Sequence, residues 1–328
     1  MTKLNTSYLG LTLKNPIIVG SSGLTNSIDK IQKLVDAGAG AVVLKSLFEE
    51  QINHDINKQI QGGHGLDYPE AMDYIAGYTK NNSVGEYLQL IADAKSKFNI
   101  PIIASINCFS THEWLSFAKQ IEKAGADAIE LNVHVVNTDK YTDAIAIEEL
   151  YYSVAENLNK ALHIPFAIKM GDNFANIVGV VNKLYAQGAK GVVLFNRFFQ
   201  PDIDINELKL GSASVFSTPA DIRRTLRWVA IVSDKVKQID VSASTGNHDG
   251  EAVIKQLLAG ATTVQVCSAI YQKGPKVISD MLNELSYWME AKGFKDIEDF
   301  RGMMSYRKIK DPVMYERAQF MRYFSNME

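Results

Sequence analysis

The sequence predicts a single α/β domain, a closed (β/α)8 TIM barrel with long strand-to-helix loops and a C-terminal helical extension. Four similar segments support this prediction, because in each an amphipathic stretch of helical period is followed by glycine and a short apolar run. Glycine suits a helix end in the left-handed conformation, and a continuous β-branched run is typical of a parallel strand buried on both faces. The segments are GAGAVVLKS from Gly38, GADAIELN from Gly125, GAKGVVLFN from Gly188 and GATTVQVCS from Gly260.

Four further segments bring the number of predicted strands to eight. Two follow proline, in NIPIIASIN and HIPFAIKM, and two lie in NPIIVGSS and QIDVSAS. Eight strand–helix units favour a closed barrel over a doubly wound sheet, which would not usually need so many. The predicted strands are Ile17–Gly20, Val42–Lys45, Ile102–Ile106, Ala128–Asn132, Phe166–Lys169, Val192–Phe195, Ile239–Ser242 and Thr263–Val266.

The connections indicate which end of the barrel carries function. Helix-to-strand links such as DAGAGA and KAGADA are tight, whereas long loops are predicted at Ser46–Asn82, Val133–Ala146 and Arg197–Thr218. Long loops at the carboxyl ends of barrel strands usually build the cover of an active site. The domain is predicted to span residues 1–328, with 292–328 forming an amphipathic helical extension that caps the core or contacts another subunit.

Composition narrows the class of protein. The net charge is −3 and no basic tract is present, so nucleic acid is not an expected partner. Cys108 and Cys267 form no CxxC pair, and the histidines lack HxH or HExxH spacing, which argues against a disulfide framework, an iron–sulfur cluster or a metal site. No apolar run reaches the length of a membrane span, so we expect a cytoplasmic protein without a membrane partner.

Small or polar residues lie at the end of each predicted strand or directly after it, and all eight ends meet at one rim. One such residue would be explained by loose backbone groups at a strand end, but eight strands sharing the pattern indicate a polar ligand site. Buried lysines are costly unless an anionic ligand offsets their charge. The rim residues are Gly20, Ser21, Ser22, Lys45, Ser46, Ser105, Asn107, Asn132, Lys169, Asn196, Ser244, Thr245, Gly246, Cys267 and Ser268.

The last two strands predict a phosphate site within this rim. Thr245 and Gly246 precede one predicted helix, and Ser268 begins another. In β/α barrels this corner commonly binds a phosphate through backbone N–H groups at a helix N-terminus. Glycine and small hydroxyl residues suit the task because no bulky side chain covers the backbone.

At these residues the sequence resembles the dihydroorotate dehydrogenase family of FMN-dependent barrels. The resemblance covers most of the chain and lies in the order of GAGAVVLKS, IPIIASIN, IELN, IPFAIKM, VVLFN and FSTPADIRRTLRWVA. It implies an FMN-dependent dehydrogenase acting on a CH–CH group, as in the oxidation of dihydroorotate to orotate in pyrimidine biosynthesis, with hydride passing to flavin N5. It also implies a homodimer and a small, planar, anionic substrate.

The resemblance assigns roles to the rim. Lys169 would stabilise the reduced flavin, and Lys45 would lie near the reactive ring edge and the substrate carboxylate. The implied FMN contacts are Gly20, Ser21, Ser22, Lys45, Ser46, Asn107, Asn132, Lys169, Asn196, Ser217, Thr245, Gly246, Cys267 and Ser268. The implied substrate contacts are Lys45, Asn107, Asn132, Asn137, Asn196 and Arg197, of which Lys45, Asn132 and Asn196 are also assigned to catalysis.

One position departs from the family pattern. Relatives carry ELNxSCPN after the fourth strand, with a cysteine, or in some a serine, that removes the substrate proton; here the segment reads ELNVHVVN and Val135 takes that position. A general base contributes about 10²–10⁴-fold, so low activity on dihydroorotate, or an altered substrate, is expected. His134 is a candidate replacement base, because imidazole titrates near neutrality; a pocket-wall histidine bonded to the backbone is the alternative.

Three functions remain open from the sequence. They are an oxidoreductase with an altered substrate, a catalytically silent FMN-binding protein, and a flavin-free aldolase-type barrel in which Lys169 forms a Schiff base. Two rim lysines, where an aldolase needs one, disfavour the third. Arg197 could recognise an anionic substrate, or pair with an acid in the loop PDIDINEL.

Overall fold

The structure is a computed structural model, and it describes residues 2–48, 69–107, 111–133, 135–198, 200–212 and 214–316. Thirteen strands lie in this part of the chain. In chain order they are β1 (Thr6–Tyr8), β2 (Leu11–Leu13), β3 (Ile17–Val19), β4 (Ala41–Val43), β5 (Leu47–Phe48), β6 (Ile102–Asn107), β7 (Ala128–Asn132), β8 (Phe166–Met170), β9 (Gly191–Leu194), β10 (Pro201–Asp204), β11 (Lys209–Ser212), β12 (Asp240–Ala243) and β13 (Thr263–Val266).

Eight parallel strands close into a barrel. The order around it is β3, β4, β6, β7, β8, β9, β12 and β13, and β13 pairs back onto β3. The short β5 continues the path of β4 and pairs with the end of β6. The predicted fold is therefore confirmed, and every predicted strand lies within two residues of an observed one.

Helices fill the connections between strands. The longer helices pack on the outer face of the barrel and bury their apolar sides against it. Gly260 shows the predicted way of ending them, because its φ of 113° is left-handed and its N–H donates to the carbonyls of Gln256 and Leu257. The helices are α1 (Ile28–Asp36), α2 (Pro69–Lys97), α3 (Thr111–Lys123), α4 (Ala144–Ala161), α5 (Ile177–Ala186), α6 (Ile222–Lys235), α7 (Gly250–Ala259), α8 (Ser268–Lys273), α9 (Lys276–Lys292) and α10 (Val313–Glu316).

Two connections differ from the predicted loops. Helix α2 begins at Pro69, so the loop predicted over Ser46–Asn82 is too long, and the helix runs through Gly77 and the paired asparagines Asn81 and Asn82. A cost of about 1 kcal/mol for one glycine is easily outweighed by packing of the same helix. The connection Arg197–Thr218 holds the hairpin of β10 and β11, whose residues are exposed on both faces and so lack the burial pattern of a core strand.

The C-terminal extension is less helical than predicted. Beyond Lys292, the described residues form turns, a three-residue 3-10 helix at Ile297–Asp299 and the four-residue α10. Phe294 and Phe300 still pack against Trp288 of α9, with ring centroids 5.6 and 5.0 Å from it. This part therefore caps the outside of the barrel through aromatic contacts rather than through an amphipathic helix; the rest of the predicted extension, 317–328, lies outside the described residues.

The amino end of the barrel is filled with apolar side chains. The hairpin of β1 and β2 brings Tyr8, Leu9 and Leu13 against Ile18, Val43 and other inward residues of the strands, and these side chains form a cluster separate from the outer core. Since this end is closed, the polar rim at the opposite end is left for ligand binding.

Candidate active site

A cavity of about 390 Å³ lies at the carboxyl ends of the strands. Small-molecule sites commonly have volumes of roughly 300–1,000 Å³. Its lining combines one lysine, one arginine, amides, hydroxyls and bare backbone. Of the predicted site residues, those that line it are Gly20, Ser21, Lys169, Asn196, Arg197, Ser217, Thr245, Gly246, Cys267 and Ser268.

Two carboxamides are joined at the rim. Asn196, just after β9, donates from Nδ2 to Oδ1 of Asn132 at the end of β7, at 2.5 Å. Asn132 does not itself line the cavity, but it is hydrogen-bonded to Asn196, which does. The pair retains a donor on Asn132 and an acceptor on Asn196. Such a pair can offer one donor and one acceptor to a planar amide-bearing molecule.

Lys169 is held from below by two side chains that the sequence reasoning missed. Its Nζ donates to Oε1 of Gln265 at 3.2 Å and lies 3.6 Å from Oε1 of Glu130. Gln265 Nε2 in turn donates to the other carboxylate oxygen of Glu130 at 2.5 Å. Both missed residues point into the barrel two positions before the strand-end residues Asn132 and Cys267, so an interrupted apolar run at that spacing was the available signal.

Hydroxyl groups tie together the ends of three neighbouring strands. Ser46 Oγ lies 3.0 Å from Ser21 Oγ and 2.7 Å from Ser105 Oγ. The hydroxyl of Tyr87, on α2, donates to the Ser105 carbonyl and accepts from the Ser105 N–H. Burial raises the pKa of Tyr87 far above its usual range, so it remains a neutral donor. Ser46 is thus a support for the rim and does not line the cavity.

The residues predicted to bind a phosphate after β12 lie in a loop, called here the phosphate corner. Thr245 and Gly246 both adopt left-handed φ values, 81° and 84°, and the backbone N–H groups of Gly246 and Asn247 donate to no described residue. The prediction that a helix N-terminus serves this corner is corrected at α7, because that helix begins only at Gly250 and is capped by the Asp249 side chain. Loop residues Gly246 and Asn247, rather than the helix end, line the cavity there.

Ser217, Ser268 and Cys267 complete the corner. Ser268 Oγ accepts from the Ser217 backbone N–H at 3.0 Å, which leaves the Ser268 hydroxyl hydrogen available to a ligand. Burial raises the pKa of the Cys267 thiol, although Ser22 and Lys169 act in the opposite direction. The thiol is therefore protonated near neutral pH and fills space at the corner rather than acting as a nucleophile.

Some predicted residues do not line the cavity. Asn137 is exposed and bonds within its own loop, to the backbone of Asp139. Ser22 caps the 3-10 turn after β3 through the Leu24 N–H. Lys45 and Asn107 are half-buried at the ends of β4 and β6. His134, the candidate base, lies outside the described residues, and Val135 is half-buried.

Arg197 binds the loop that presents Ser217. Its guanidinium donates to the carbonyls of Ser214 and Phe216 at 2.7 and 3.1 Å, and lies 3.8 Å from Asp221. Of the two alternatives for Arg197, the structure thus shows a pairing with an acid, but the acid is Asp221 rather than one in PDIDINEL. These contacts position the loop beside the cavity.

The donor set suits FMN. Open loop amides and two serine hydroxyls can receive a phosphate, and the cation of Lys169 can lie against an electron-rich ring. Gly20 supports the fit, because a Cβ at that position would lie 3.3 Å from Gln265 Oε1 and narrow the cavity floor.

Comparison with known proteins agrees with this geometry. The sequence model of the family described as dihydroorotate dehydrogenase matches residues 3–289. The chain belongs to the dihydroorotate dehydrogenase family. It is an oxidoreductase of the kind that uses FMN and acts on CH–CH groups.

Curated relatives match across nearly the whole chain. Dihydroorotate dehydrogenase B (NAD(+)), catalytic subunit, of Alkaliphilus metalliredigens (strain QYMF) is 28% identical over 315 residues, 93% of this chain and 100% of the relative. The protein of the same name from Methanocaldococcus jannaschii is 25% identical over 311 residues, 92% and 97% of the two chains. NAD-dependent dihydropyrimidine dehydrogenase subunit PreA of Escherichia coli (strain K12) is 24% identical over 317 residues, 92% and 76%.

The described residues contain neither a membrane-spanning helix nor a metal-binding cluster. None of the helices in this part of the chain is both long enough and apolar enough to cross a membrane. Within the same residues, histidine, cysteine and carboxylate side chains form no cluster that could hold a metal ion.

Proposed function

We propose that this chain carries out FMN-dependent redox chemistry on a small, planar, anionic molecule, and that it turns over dihydroorotate only slowly. The supporting observation is the cavity, where the Lys169 cation, the Asn132–Asn196 pair and the open amides of the phosphate corner share one rim. When bound, FMN would supply a hydride acceptor at its N5. The protein's own groups bind, orient and neutralise charge.

The roles we propose follow from the contacts. Lys169 places a fixed positive charge where the ring gains electrons, and the carboxylate of Glu130, 3.6 Å from its Nζ, holds the side chain in place. The asparagine pair orients the planar substrate edge to edge with its amides. Lys45 would receive the substrate carboxylate. Gly20, Ser21, Ser217, Thr245, Gly246, Cys267 and Ser268 would hold the ring and phosphate of FMN.

Slow turnover of dihydroorotate follows from Val135. An isopropyl group cannot accept the proton that must leave as hydride is removed from a CH–CH group. Without a base a rate loss of about 10²–10⁴-fold is expected. A substrate with a more acidic proton would be less affected.

A catalytically silent FMN-binding protein is the second candidate, and Val135 is the observation that favours it. The aldolase-type alternative is weakened by the structure. A Schiff-base lysine must have its amine free to attack a carbonyl, whereas Lys169 Nζ is bound to Gln265 Oε1 at 3.2 Å and lies 3.6 Å from Glu130.

Anaerobic spectroscopy tests the proposal. Purified protein should be yellow and release FMN on denaturation; a colourless protein that takes up no added FMN would contradict flavin binding. Dihydroorotate should bleach the flavin slowly, while a reductant such as dithionite bleaches it at once. If neither dihydroorotate nor any of a panel of dihydropyrimidines and unsaturated acids changes the flavin spectrum, the silent alternative is correct.

We further propose a cytoplasmic homodimer acting in pyrimidine metabolism, on the strength of the family resemblance. Sedimentation velocity at micromolar concentration should give twice the mass of one chain. A single species at the mass of one chain would contradict the dimer.

A further inference from the structure

A buried histidine lies directly behind one hydroxyl of the phosphate corner. His248 Nε2 is 2.9 Å from Ser217 Oγ, and each residue is only 4% exposed. Ser217 lines the cavity, whereas His248 does not. The Ser217 N–H is already bound to Ser268. The contact with the imidazole therefore fixes the orientation of the Ser217 hydroxyl group.

Charged groups surround His248 from three elements. Lys273 of α8 donates from Nζ to the His248 carbonyl at 2.9 Å. Asp249, the cap of α7, and Asp221, in the 3-10 turn before α6, are the opposing acids. Burial first, and then Lys273, lower the pKa of His248 more than the two acids raise it. Without an anion in the cavity the ring is therefore neutral at neutral pH.

We propose that His248 is a positioning residue for the phosphate of FMN, and that binding of this phosphate draws a proton onto its ring. His248 takes this role only if the cavity holds FMN, as in the proposed function. Nε2–H would donate to Ser217 Oγ, which turns the Ser217 hydroxyl hydrogen toward the cavity. A phosphate dianion has only acceptors. It therefore favours the arrangement in which the Ser217 hydroxyl donates to it, and disfavours the one in which Ser217 donates to the ring.

The pH dependence has a defined sign. A phosphate dianion adds negative charge next to the imidazole and raises the pKa of His248 in the complex above its lowered value in the free protein. Between these two values FMN binding takes up a proton, so the affinity for FMN rises as the pH falls through this window. Above the pKa of the complex the gain is lost, because both states are then neutral.

Binding of FMN and riboflavin to the FMN-stripped full-length protein tests the inference. Flavin fluorescence quenching gives both dissociation constants between about pH 6.5 and pH 8.5. For the wild type, FMN should bind more tightly toward low pH, by up to about tenfold for each unit by which the pKa of His248 rises. Riboflavin lacks the phosphate and should show no such trend.

Two variants separate His248 from the phosphate itself. His248→Gln keeps an N–H donor but cannot be protonated, so the part of the pH dependence that exceeds the ionisation of the phosphate, near pH 6, should disappear. Ser217→Ala removes the link and should do the same. Equal FMN profiles for wild type and His248→Gln, or equal affinity of the wild type for FMN and riboflavin, would overturn the role of His248 while leaving flavin binding intact.

Calorimetry gives a test that does not depend on the folding of His248→Gln. Titration of FMN near pH 7 in two buffers of different ionisation enthalpy reports proton uptake. The wild type should take up more protons than Ser217→Ala, and equal uptake would overturn the inference. If wild-type protein bound neither FMN nor riboflavin, the proposed function itself would fail.

Discussion

Lys169 is paired with one buried carboxylate, that of Glu130. The side chains of Lys169 and Glu130 are 12% and 2% exposed, and their charged atoms lie 3.6 Å apart. Such a pair adds little net stability, since desolvation offsets the attraction, but loss of one partner leaves an uncompensated charge. Glu130 is therefore as necessary to the rim as the lysine that faces the ligand.

Lys169→Met should lower the free energy of unfolding of FMN-free protein by about 3–5 kcal/mol, because Glu130 then remains buried without a cation. The double variant with Glu130→Gln should recover most of this loss, since no isolated charge is left. Urea unfolding measures both. Lys183→Met is the control, because its partner Glu149 is 60% exposed and 3.9 Å away. Equal losses in the single and double variants would show that the charge is not the cause.

Val135 offers a gain-of-function test. Val135→Cys restores a group that can accept a proton at the position used by the family, so anaerobic bleaching of the flavin by dihydroorotate should become at least about 100-fold faster. Val135→Ala makes similar room without a base and is the control. Stopped-flow traces that are the same for the two variants would show that more than the base is missing.

At the scale of elements, the loop between β12 and α7 is the most constrained part of the rim. Gly246 has a φ of 84°, and a Cβ there would lie 2.2 Å from the backbone nitrogen of Ile222, at the start of α6. Glycine thus serves two needs at once, a left-handed backbone and close contact with another helix. The open amides of the corner depend on both.

Gly246→Ala should lose far more stability than Gly293→Ala. Both sites are left-handed, with φ of 84° and 78°, so both variants incur strain of about 1–2 kcal/mol. At Gly293 nothing lies within 4 Å of the added Cβ, whereas at Gly246 the Ile222 backbone must move. Thermal unfolding compares the two, and FMN affinity should fall for Gly246→Ala alone. Similar losses at both glycines would exclude the contact with Ile222.

The elements of the barrel could be predicted because local cues agree with the fold. A glycine followed by a β-branched run marks each of β4, β7, β9 and β13, and burial on both faces requires that pattern. The first half of helix α2 and the hairpin of β10 and β11 were not predicted. In the helix, packing elsewhere along the same helix outweighs a weak propensity; the hairpin is exposed on both faces and so shows no burial pattern.

The sequence predicted residues at the rim of the site, but not the residues that contact and support them. Strand-end residues such as Lys169 and Asn196 stand out as polar groups after apolar runs. Glu130 and His248 act through other side chains, and Gln265 lines the cavity while also bonding to Glu130, 135 positions away in the sequence. No single stretch of sequence records a contact of that kind.

At the scale of the whole molecule, the apolar residues that stabilise the barrel and the residues that line the cavity lie at opposite ends of its axis. The amino end is filled by the cluster around the β1–β2 hairpin, and the carboxyl end carries the cavity. The polar layer of Glu130, Lys169 and Gln265 lies between them. Substitutions in the apolar cluster should therefore change unfolding with little effect on FMN.

Leu13→Ala tests this separation. Leu13 is 0% exposed in the closed amino end, so its truncation should lower the free energy of unfolding by about 2–5 kcal/mol. Leu210→Ala is the matched control, because that leucine is 79% exposed on β11 and should change stability by no more than about 0.5 kcal/mol. The dissociation constant of FMN should stay within about twofold in both variants, since effects at distant sites add nearly independently. A large loss of FMN affinity in folded Leu13→Ala would show instead that the apolar cluster at the amino end positions the rim through the polar layer of Glu130, Lys169 and Gln265.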